Sequence, residues 1–310
     1  MNFKRLYHKT CCVMQWNIGL VHADIGKIIR EKKTNLSFKW LPLNEGNNSV
    51  ADPFIFRTEP GKINLLYEAF SMVNLKQYGK IALCVLNDDF EILSNKEILD
   101  SGSHTSYPFV FREEGKIFVI PESRRKAAVS GYEYDLVNKC LINEKCILSN
   151  LPLLDSTFFK YNDKYWLFAT LGDSQFDNSK LYIYYSDSLF GQYISHNKNP
   201  VKTGLNGTRP AGNLIMVDNN IYRPAQNCKN YYGESITINK IIKLDENEFS
   251  EEYYFELKAD INSEYKSGIH TINALDNIIV VDGIKMVFMP YIKLINFLKK
   301  SLTGIFSNRK

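Results

Sequence analysis

The chain lacks the short motifs that would assign it directly to a well-known chemistry. None of GxGxxG, GxxxxGK[ST], GxSxG or HExxH occurs in its 310 residues, so dinucleotide, P-loop, serine-hydrolase and zincin functions have no support. The Asp-x-Asp pattern that metal-dependent sugar-nucleotide transferases use is also missing. We therefore predict neither a cofactor nor a metal.

Cysteine and excess charge are also scarce. The six cysteines include no CxxC pair and no Cys/His spacing that suits zinc, which favours buried free thiols in a reducing compartment. The formal net charge is only +4, and no stripe of one sign is interleaved with aromatic residues. We therefore predict no nucleic-acid partner.

Long apolar segments are absent as well. No apolar run approaches the roughly 20 residues that a membrane-spanning helix needs, and residues 1–10 lack the apolar region of a secretory signal. We therefore expect a cytoplasmic protein, with peripheral contact at the inner membrane face as a further expectation that depends on the C-terminal tail.

What the chain does contain is one short pattern that recurs five times. Each copy is an apolar hairpin with a polar residue before its first strand and another at the end of its second strand. Copies are spaced as expected for propeller blades of about 50 residues with insertions. The sequence therefore predicts an all-β, five-bladed β-propeller over residues 1–285, with N-terminal strands that close the ring. The blades begin near Asp52, Tyr107, Asp155, Arg209 and His270.

The polar positions of this repeat predict a site on the propeller axis. Both flanking positions of a hairpin lie at the end opposite its turn, so radial stacking brings the leading residues into one ring. The second-strand residues form another ring close by. Removing such a ring of polar and charged side chains from water costs free energy unless the side chains pair with one another or bind a ligand. The second ring would contain Glu68, Glu122, Thr170, Gln226 and Asp282, although we interpret Asp282 before Gly283 as a turn residue.

Several local motifs carry a resemblance to known proteins. They include Asp52-Pro53-Phe54, Ile120-Pro121-Glu122-Ser123, Asp155-Ser156-Thr157, Arg209-Pro210-Ala211-Gly212 and Gly268-Ile269-His270-Thr271. Together they span roughly residues 50–285 and resemble the N-terminal propeller domain of glucosamine inositolphosphorylceramide transferase and its stand-alone bacterial relatives. More distantly, the pattern is similar to the five-bladed glycoside hydrolases of families 43 and 32. The resemblance implies a propeller fold and a saccharide or glycolipid substrate.

The resemblance also implies roles for carboxyl groups. In the hydrolase families, the first-blade Asp before Pro is base or nucleophile, an Asp opening the third blade tunes its partner or holds the sugar, and a Glu is the acid. Asp52 and Asp155 match the first two positions. On the blade where family 43 has its Glu, this chain offers Arg209, Arg223 and Gln226, with Glu234 in the Tyr-Gly-Glu segment that follows. The geometry of the repeat favours Glu122 as the acid, with Glu68 next, so we predict Asp52, Asp155 and Glu122 as catalytic.

Other polar groups are predicted to bind the substrate. Tyr107 is expected to pack or stack on a sugar ring, and the arginines are expected to hold a phosphate or carboxylate bidentately. These residues also have purely structural alternatives: Glu122 would pair with Arg124 or Arg125 on a loop, and His270 would be a core histidine bonded to a backbone carbonyl. The predicted binding residues are Glu68, His104, Tyr107, Arg209, Arg223, Gln226 and His270.

The C-terminal tail, residues 286–310, differs from the rest of the chain. It alternates apolar residues with lysines and predicts a short basic amphipathic helix. Two interpretations are open: the helix lies on an anionic membrane surface, or it packs against the propeller flank with its lysines in water.

Three functions follow from these patterns. The first is a carbohydrate-active enzyme that transfers or hydrolyses a sugar on a cell-surface glycan or glycolipid precursor, a role in polysaccharide biosynthesis. The second is an intracellular glycosidase acting on small oligosaccharides. The third is a non-catalytic glycan-binding propeller, which fits the resemblance because the plant transferase activity is usually assigned to a second domain that we do not expect in this chain.

Overall fold

The computed structural model describes residues 10–46, 48–74, 78–123, 126–172 and 178–295. Within these ranges helix α1 spans Ile25–Glu31. The strands, in chain order, are β1 Cys12–His22, β2 Lys39–Trp40, β3 Asn48–Phe56, β4 Lys62–Ser71, β5 Lys80–Asn87, β6 Ile92–Leu99, β7 Ser106–Glu113, β8 Lys116–Glu122, β9 Ala128–Asp135, β10 Cys140–Ser149, β11 Leu153–Tyr161, β12 Lys164–Leu171, β13 Lys180–Ser186, β14 Ile194–Ser195, β15 Lys202–Thr203, β16 Asn206–Pro210, β17 Ile215–Val217, β18 Asn220–Asn227, β19 Ser235–Leu244, β20 Phe249–Leu257, β21 Ile272–Leu275 and β22 Ile278–Phe288.

These strands form five antiparallel sheets, and the predicted all-β, five-bladed propeller is confirmed. Four sheets follow the chain: β3-β4-β5-β6, then β7-β8-β9-β10, then β11-β12-β13-β14 with β15 beside β13, then β16-β18-β19-β20 with β17 beside β18. The fifth sheet has the order β2-β1-β22-β21, so it joins strands from both ends of the chain. Pairing of β1 with β22 runs from Cys12 opposite Phe288 to His22 opposite Ile278.

The second strand of a blade is apolar on both faces because it lies between two neighbouring blades. In β4, Leu65 packs with Ile18 and Val280 of the fifth sheet, while the next residue, Leu66, packs with Val119 of the second blade. Alternate residues of a strand point to opposite faces, so an uninterrupted apolar run is needed here. The outermost strand of the same blade, β6, is largely exposed. The core therefore lies between blades and around the axis.

Helix α1 covers one flank of the propeller. Its N-cap residue Asp24 accepts a hydrogen bond from the Gly26 amide, which satisfies one of the free donors at a helix start. Ile28 and Ile29 are buried and pack among residues of the fourth and fifth sheets, including Ile236 and Ile279.

The C-terminal segment is partly sheet and partly helix. Because β22 continues to Phe288, the first three residues of the predicted tail belong to the fifth sheet. A short helix follows at residues 290–295, and the rest of the tail, residues 296–310, lies outside the described residues. Across the parts of the chain that are described, no helix combines the length and apolar character needed to cross a bilayer.

Candidate active site

The inner strands of the first three blades each contain a β-bulge at the axis, with one residue in the left-handed backbone conformation. Asp52, Tyr107 and Asp155 all have a left-handed backbone, with φ of 54°, 43° and 50°. Each lies in a break of strand register, which marks a β-bulge. A bulge turns the side chain of its extra residue away from the normal pleat. Pro53 and Pro108 follow the first two of these residues, and a bulge is one of the few places where a strand tolerates the missing N–H of proline.

Asp282 is the most heavily bonded carboxylate at the axis. It is fully buried in β22 and accepts backbone N–H groups from Asp52 at 3.0 Å, His270 at 2.9 Å and Thr271 at 3.0 Å. Its Oδ2 lies 2.7 Å from Nδ1 of His270. Our interpretation of Asp282 as a turn residue before Gly283 is therefore wrong, because the residue lies inside a strand and ties the fifth blade to the first.

Asp52 faces the other side of the same imidazole. Its Oδ1 lies 3.3 Å from His270 Nε2 and accepts a hydrogen bond from Thr271 Oγ1 at 2.9 Å. Its Oδ2 accepts the Tyr107 N–H at 3.2 Å. Burial raises the pKa of Asp52 to about 6, although His270 acts in the opposite direction. Burial alone would lower the pKa of His270, but Asp282 and Asp52 raise it above its ordinary value.

Asp155 and Arg209 form the second charged unit. Arg209 donates to both carboxylate oxygens of Asp155, from Nε to Oδ2 and from Nη2 to Oδ1 at 3.1 Å. Gln226 adds a hydrogen bond to Asp155 Oδ2 at 2.8 Å. Asp155 also donates its own N–H to Glu122 Oε2 at 2.9 Å. The charge of Asp155 is thus balanced within the site, and Glu122 is fixed beside it.

The two remaining carboxyl groups favour their neutral forms. Burial, together with the nearby charge of Asp155, raises the pKa of Glu122 to about 8, although Arg209 opposes the rise. Burial and the surrounding carboxylates also raise the pKa of Glu68 well above its usual range. Glu68 Oε1 lies 3.6 Å from Nδ1 of His104, whose side chain is 42% exposed. The exposed His104 side chain therefore places the Glu68 side of the cluster next to solvent.

Tyr107 lies beneath the carboxyl groups and closes the axis. Its ring is fully buried, and its hydroxyl accepts the Gly212 N–H at 2.8 Å and lies 2.7 Å from Thr157 Oγ1. These contacts link the second, third and fourth blades. Toward the hairpin turns, a separate and mainly apolar cavity of about 460 Å³ is lined by residues such as Phe111, Phe159 and Met216. The predicted sugar-stacking position of Tyr107 is thus a core position, because neither ring face is exposed.

Arg223 lies outside the axial cluster. It is three residues before Gln226 on β18, so the two side chains point to opposite faces of the sheet. The Arg223 guanidinium is fully buried against Glu251, with hydrogen bonds of 2.8 and 2.6 Å, and also donates to the Gly207 carbonyl at 2.6 Å. The structure thus brings together nine of the ten predicted site residues at the axis or at its mouth and separates Arg223 from them. The alternative pairing of Glu122 with Arg124 or Arg125 involves residues outside the described ranges.

Two aromatic residues at the axis were not predicted as part of the site. Trp16 of β1 packs against His270 with ring centroids 4.1 Å apart and ring planes inclined by 39°, and Tyr232 lies edge-on to the same imidazole at 5.1 Å. The Arg209 guanidinium lies 5.2 Å from the centre of the Tyr232 ring, a cation–π distance. Trp16 precedes the first repeat and Tyr232 lies in a loop, so the repeat pattern marks neither residue.

Three of the axial groups also have metal-ligand chemistry. Ligand atoms of Asp52, His270 and Asp282 lie within 4.8 Å of one another. However, the two ring nitrogens of His270 each face a different carboxylate, and Asp282 already accepts three backbone N–H groups. This geometry is that of an Asp–His–Asp chain of alternating charge rather than of ligands converging on one ion.

Fold and site together define a five-bladed propeller with carboxyl groups at its axis, and the propeller fold is shared with solved glycoside hydrolases. A β-1,3-galactosidase of glycoside hydrolase family 43 has a TM-score of 0.54 at 9% identity, over 70% of this chain and 82% of that chain. A family 117 glycoside hydrolase from Zobellia galactanivorans has a TM-score of 0.53 at 11% identity, over 90% of this chain and 91% of that chain. At such identities the likeness shows the fold alone.

Sequence comparison gives the family. Residues 42–276 match the family described as glucosamine inositolphosphorylceramide transferase 1, N-terminal, and the chain belongs to that family. It is 32% identical over 216 residues to the transferase of that name from Oryza sativa subsp. japonica, covering 66% of this chain, and 32% identical over 267 residues to the one from Arabidopsis thaliana, covering 79%. It spans only 28% and 34% of the length of these two relatives. The predicted resemblance is confirmed.

Proposed function

We propose that this protein is a carbohydrate-active enzyme that transfers or hydrolyses a sugar on a cell-surface glycan or glycolipid precursor, using the carboxyl groups on the propeller axis. The observation that carries the proposal is the contrast between two neighbouring units. Asp52 lies 3.3 Å from the His270 imidazole and burial raises its pKa to about 6, whereas burial and the nearby Asp155 raise the pKa of Glu122 to about 8. Pairs of carboxyl groups with separated pKa values are typical of acid and base partners.

The contacts support a role for each group. Cleavage or formation of a glycosidic bond passes through a state with positive charge on the anomeric carbon. Glu122 would give its proton to the leaving oxygen, or remove one from the attacking hydroxyl in the reverse sense. Asp52, ionised beside His270, would face the anomeric carbon or activate the nucleophile. Asp155 and Arg209 would orient Glu122 and contact sugar hydroxyls. Burial of the cluster excludes water, which strengthens these charges.

The relatives favour a glycolipid over a soluble oligosaccharide. The name of both relatives describes a transferase that acts with glucosamine on inositolphosphorylceramide, a glycolipid precursor. Since this chain spans about a third of their length, the activity of the whole relatives is extended to it only as part of the proposal. The cytoplasmic location is likewise part of the proposal and depends on the sequence alone.

One observation favours a second candidate, a glycan-binding propeller without catalysis. Asp52, Glu122 and Asp282 each accept a backbone N–H from the inner strand of the next blade. A carboxyl group in that position also has a structural use, since it joins adjacent blades near the axis.

Isosteric substitution separates the two functions. Asp52→Asn and Glu122→Gln would be assayed with a panel of nitrophenyl glycosides for hydrolysis, and with a nucleotide-activated hexosamine plus inositolphosphorylceramide for transfer. We expect turnover to fall about 1,000-fold in each variant, the range of general acid–base effects, while calorimetric binding of the saccharide survives. Glu97→Gln, at an exposed position, is the matched control. Saccharide binding by the wild type without any turnover would leave only the binding function, whereas turnover that both variants retain would contradict the roles proposed for Asp52 and Glu122.

A further inference from the structure

An exposed apolar surface lies where the propeller passes into the C-terminal helix. Phe288 at the end of β22 is 59% exposed, and the helix at 290–295 adds Tyr291 at 55%, Leu294 at 59% and Ile295 at 41%. Ile292 of the same helix is buried at 4%. The helix therefore packs on the propeller through Ile292 and turns most of its apolar side chains outward. A helix that merely covered the flank would bury them.

Backbone hydrogen bonds attach this surface to the fifth sheet. The strand pairing of β1 with β22 extends to Phe288, which lies opposite Cys12, and the Met289 N–H donates to the Cys11 carbonyl at 2.8 Å. From Asp282 the strand runs six residues toward Phe288, roughly 20 Å at 3.3 Å per residue, and away from its hairpin turn. The apolar surface is thus at the end of the propeller where the carboxyl groups lie.

The charged residues of the C-terminal sequence are all of one sign. Lys293 lies on the same helix, and the sequence from 286 to 310 contains five basic residues and no acidic residue. Apolar side chains beside lysines, with no acidic residue, are the composition of segments that bind anionic bilayers. Other exposed apolar residues, such as Val137 and Ile261, belong to loops or turns elsewhere and are of the scattered kind that needs no explanation.

We infer that Phe288, Tyr291, Leu294 and Ile295 form a docking surface for an anionic lipid bilayer, with Lys293 at the level of the headgroups. The inference goes beyond the proposed reaction and does not depend on it, since the surface contains no predicted catalytic residue. Its consequence for that reaction is orientation: docking would hold the mouth of the axis near the membrane surface, where the headgroup of a lipid-linked sugar is found.

Vesicle sedimentation tests the inference on the full chain. The probes are phosphatidylcholine vesicles and vesicles in which about a third of the lipid is phosphatidylglycerol, a strongly anionic surface. We expect the wild type to bind the anionic vesicles and to release from them as salt rises, because salt screens the lysines. The triple variant Phe288→Ser, Tyr291→Ser, Leu294→Ser should bind about tenfold or more weakly.

A matched triple variant removes exposed apolar residues elsewhere: Val137→Ser, Tyr253→Ser and Ile261→Ser. It should bind vesicles as the wild type does, and circular dichroism should show both triple variants folded. The inference is overturned if the wild type fails to bind anionic vesicles, if it binds neutral vesicles equally well, or if both triple variants bind alike. It is also overturned if light scattering shows a dimer that only the first variant dissociates, since a second copy would then occupy the surface.

Discussion

Two buried charge clusters of this protein differ in how their charges are balanced. The network in the fourth blade joins one carboxylate, Glu251, to two cations, Arg223 and Lys202. Among the described residues, the axial cluster instead contains five carboxyl groups and two basic side chains, Arg209 and His270. We call the first cluster balanced, because its cationic side chains are enough to neutralise its carboxylate. We call the second unbalanced, because it has more carboxyl groups than its basic side chains can neutralise.

The difference appears in the acidity of the carboxyl groups. Burial alone would raise the pKa of Glu251, but Arg223 and Lys202 hold it below its ordinary value. In the axial cluster, burial and neighbouring carboxylates raise the pKa of Glu122 to about 8 and that of Glu68 well above its usual range. Burial is common to both clusters, so the partners decide the direction of the shift. An unbalanced cluster lowers stability, which is the pattern expected of a site kept for its chemistry.

The largest expected effect comes from breaking the balanced cluster. Arg223→Leu leaves Glu251 buried beside Lys202 alone, and removing one partner of a buried pair costs about 3–5 kcal/mol of unfolding free energy. Urea denaturation followed by tryptophan fluorescence measures the loss. Saccharide affinity of the folded fraction should stay unchanged, because Arg223 points away from the axis.

The paired substitution Arg223→Met with Glu251→Met serves as the control. It removes both charges together, so most of the lost stability should return. If Arg223→Leu unfolded like the wild type but bound saccharide more weakly, the distinction between a structural and a functional cluster would fail at this residue.

A smaller effect is expected from removing one ionisable carboxyl group, that of Glu122, from the unbalanced axial cluster. Burial and the nearby Asp155 raise the pKa of Glu122 to about 8 in the folded protein, against an ordinary value of 4.5. Below pH 4.5 both states are protonated, and between 4.5 and 8 only the unfolded state ionises. The free energy of unfolding therefore falls as pH rises through that window and levels off above it.

Glu122→Gln removes this contribution. Its unfolding free energy should fall less between pH 5 and 8 than that of the wild type, by on the order of 2 kcal/mol, while a residual slope from Glu68 persists. Unfolding curves at several pH values give the comparison, with the exposed Glu97→Gln as reference. Parallel pH profiles for the wild type and Glu122→Gln would show that Glu122 is ionised in the folded protein.

Much of the fold and of the axial cluster was predictable because the repeat fixes both. Apolar hairpins of constant spacing define the blades, and the positions that flank each hairpin reach the axis whatever their identity. Asp282 illustrates the point: the local Asp-Gly signal suggests a turn, whereas its place in the repeat, equivalent to Glu68 and Glu122, indicates the buried position that the structure shows.

The errors have physical causes. Arg223 and Gln226 are both predicted to bind the substrate, although the alternation of side chains over three residues places them on opposite faces of the sheet. Trp16 was identified only as part of a ring-closing segment, since its contact with His270 depends on how β1 registers with β22. The pKa values depend on distances between side chains of different blades, which no local pattern encodes.

The smallest expected effect concerns the neutral layer beneath the axial cluster. Tyr107→Phe removes the hydroxyl that accepts the Gly212 N–H and contacts Thr157, so a buried donor is left unpaired at a cost of about 1–2 kcal/mol. Tyr134→Phe is the matched control, because the buried Tyr134 hydroxyl has no hydrogen-bond partner among the described residues and its removal should leave stability unchanged. Denaturant unfolding distinguishes the two variants. Turnover should stay close to wild type in both variants, because the Tyr107 hydroxyl joins blades and does not contact the substrate. A large loss of turnover in Tyr107→Phe would instead show that the catalytic site extends to this residue and that the layer below the charged cluster is not purely structural.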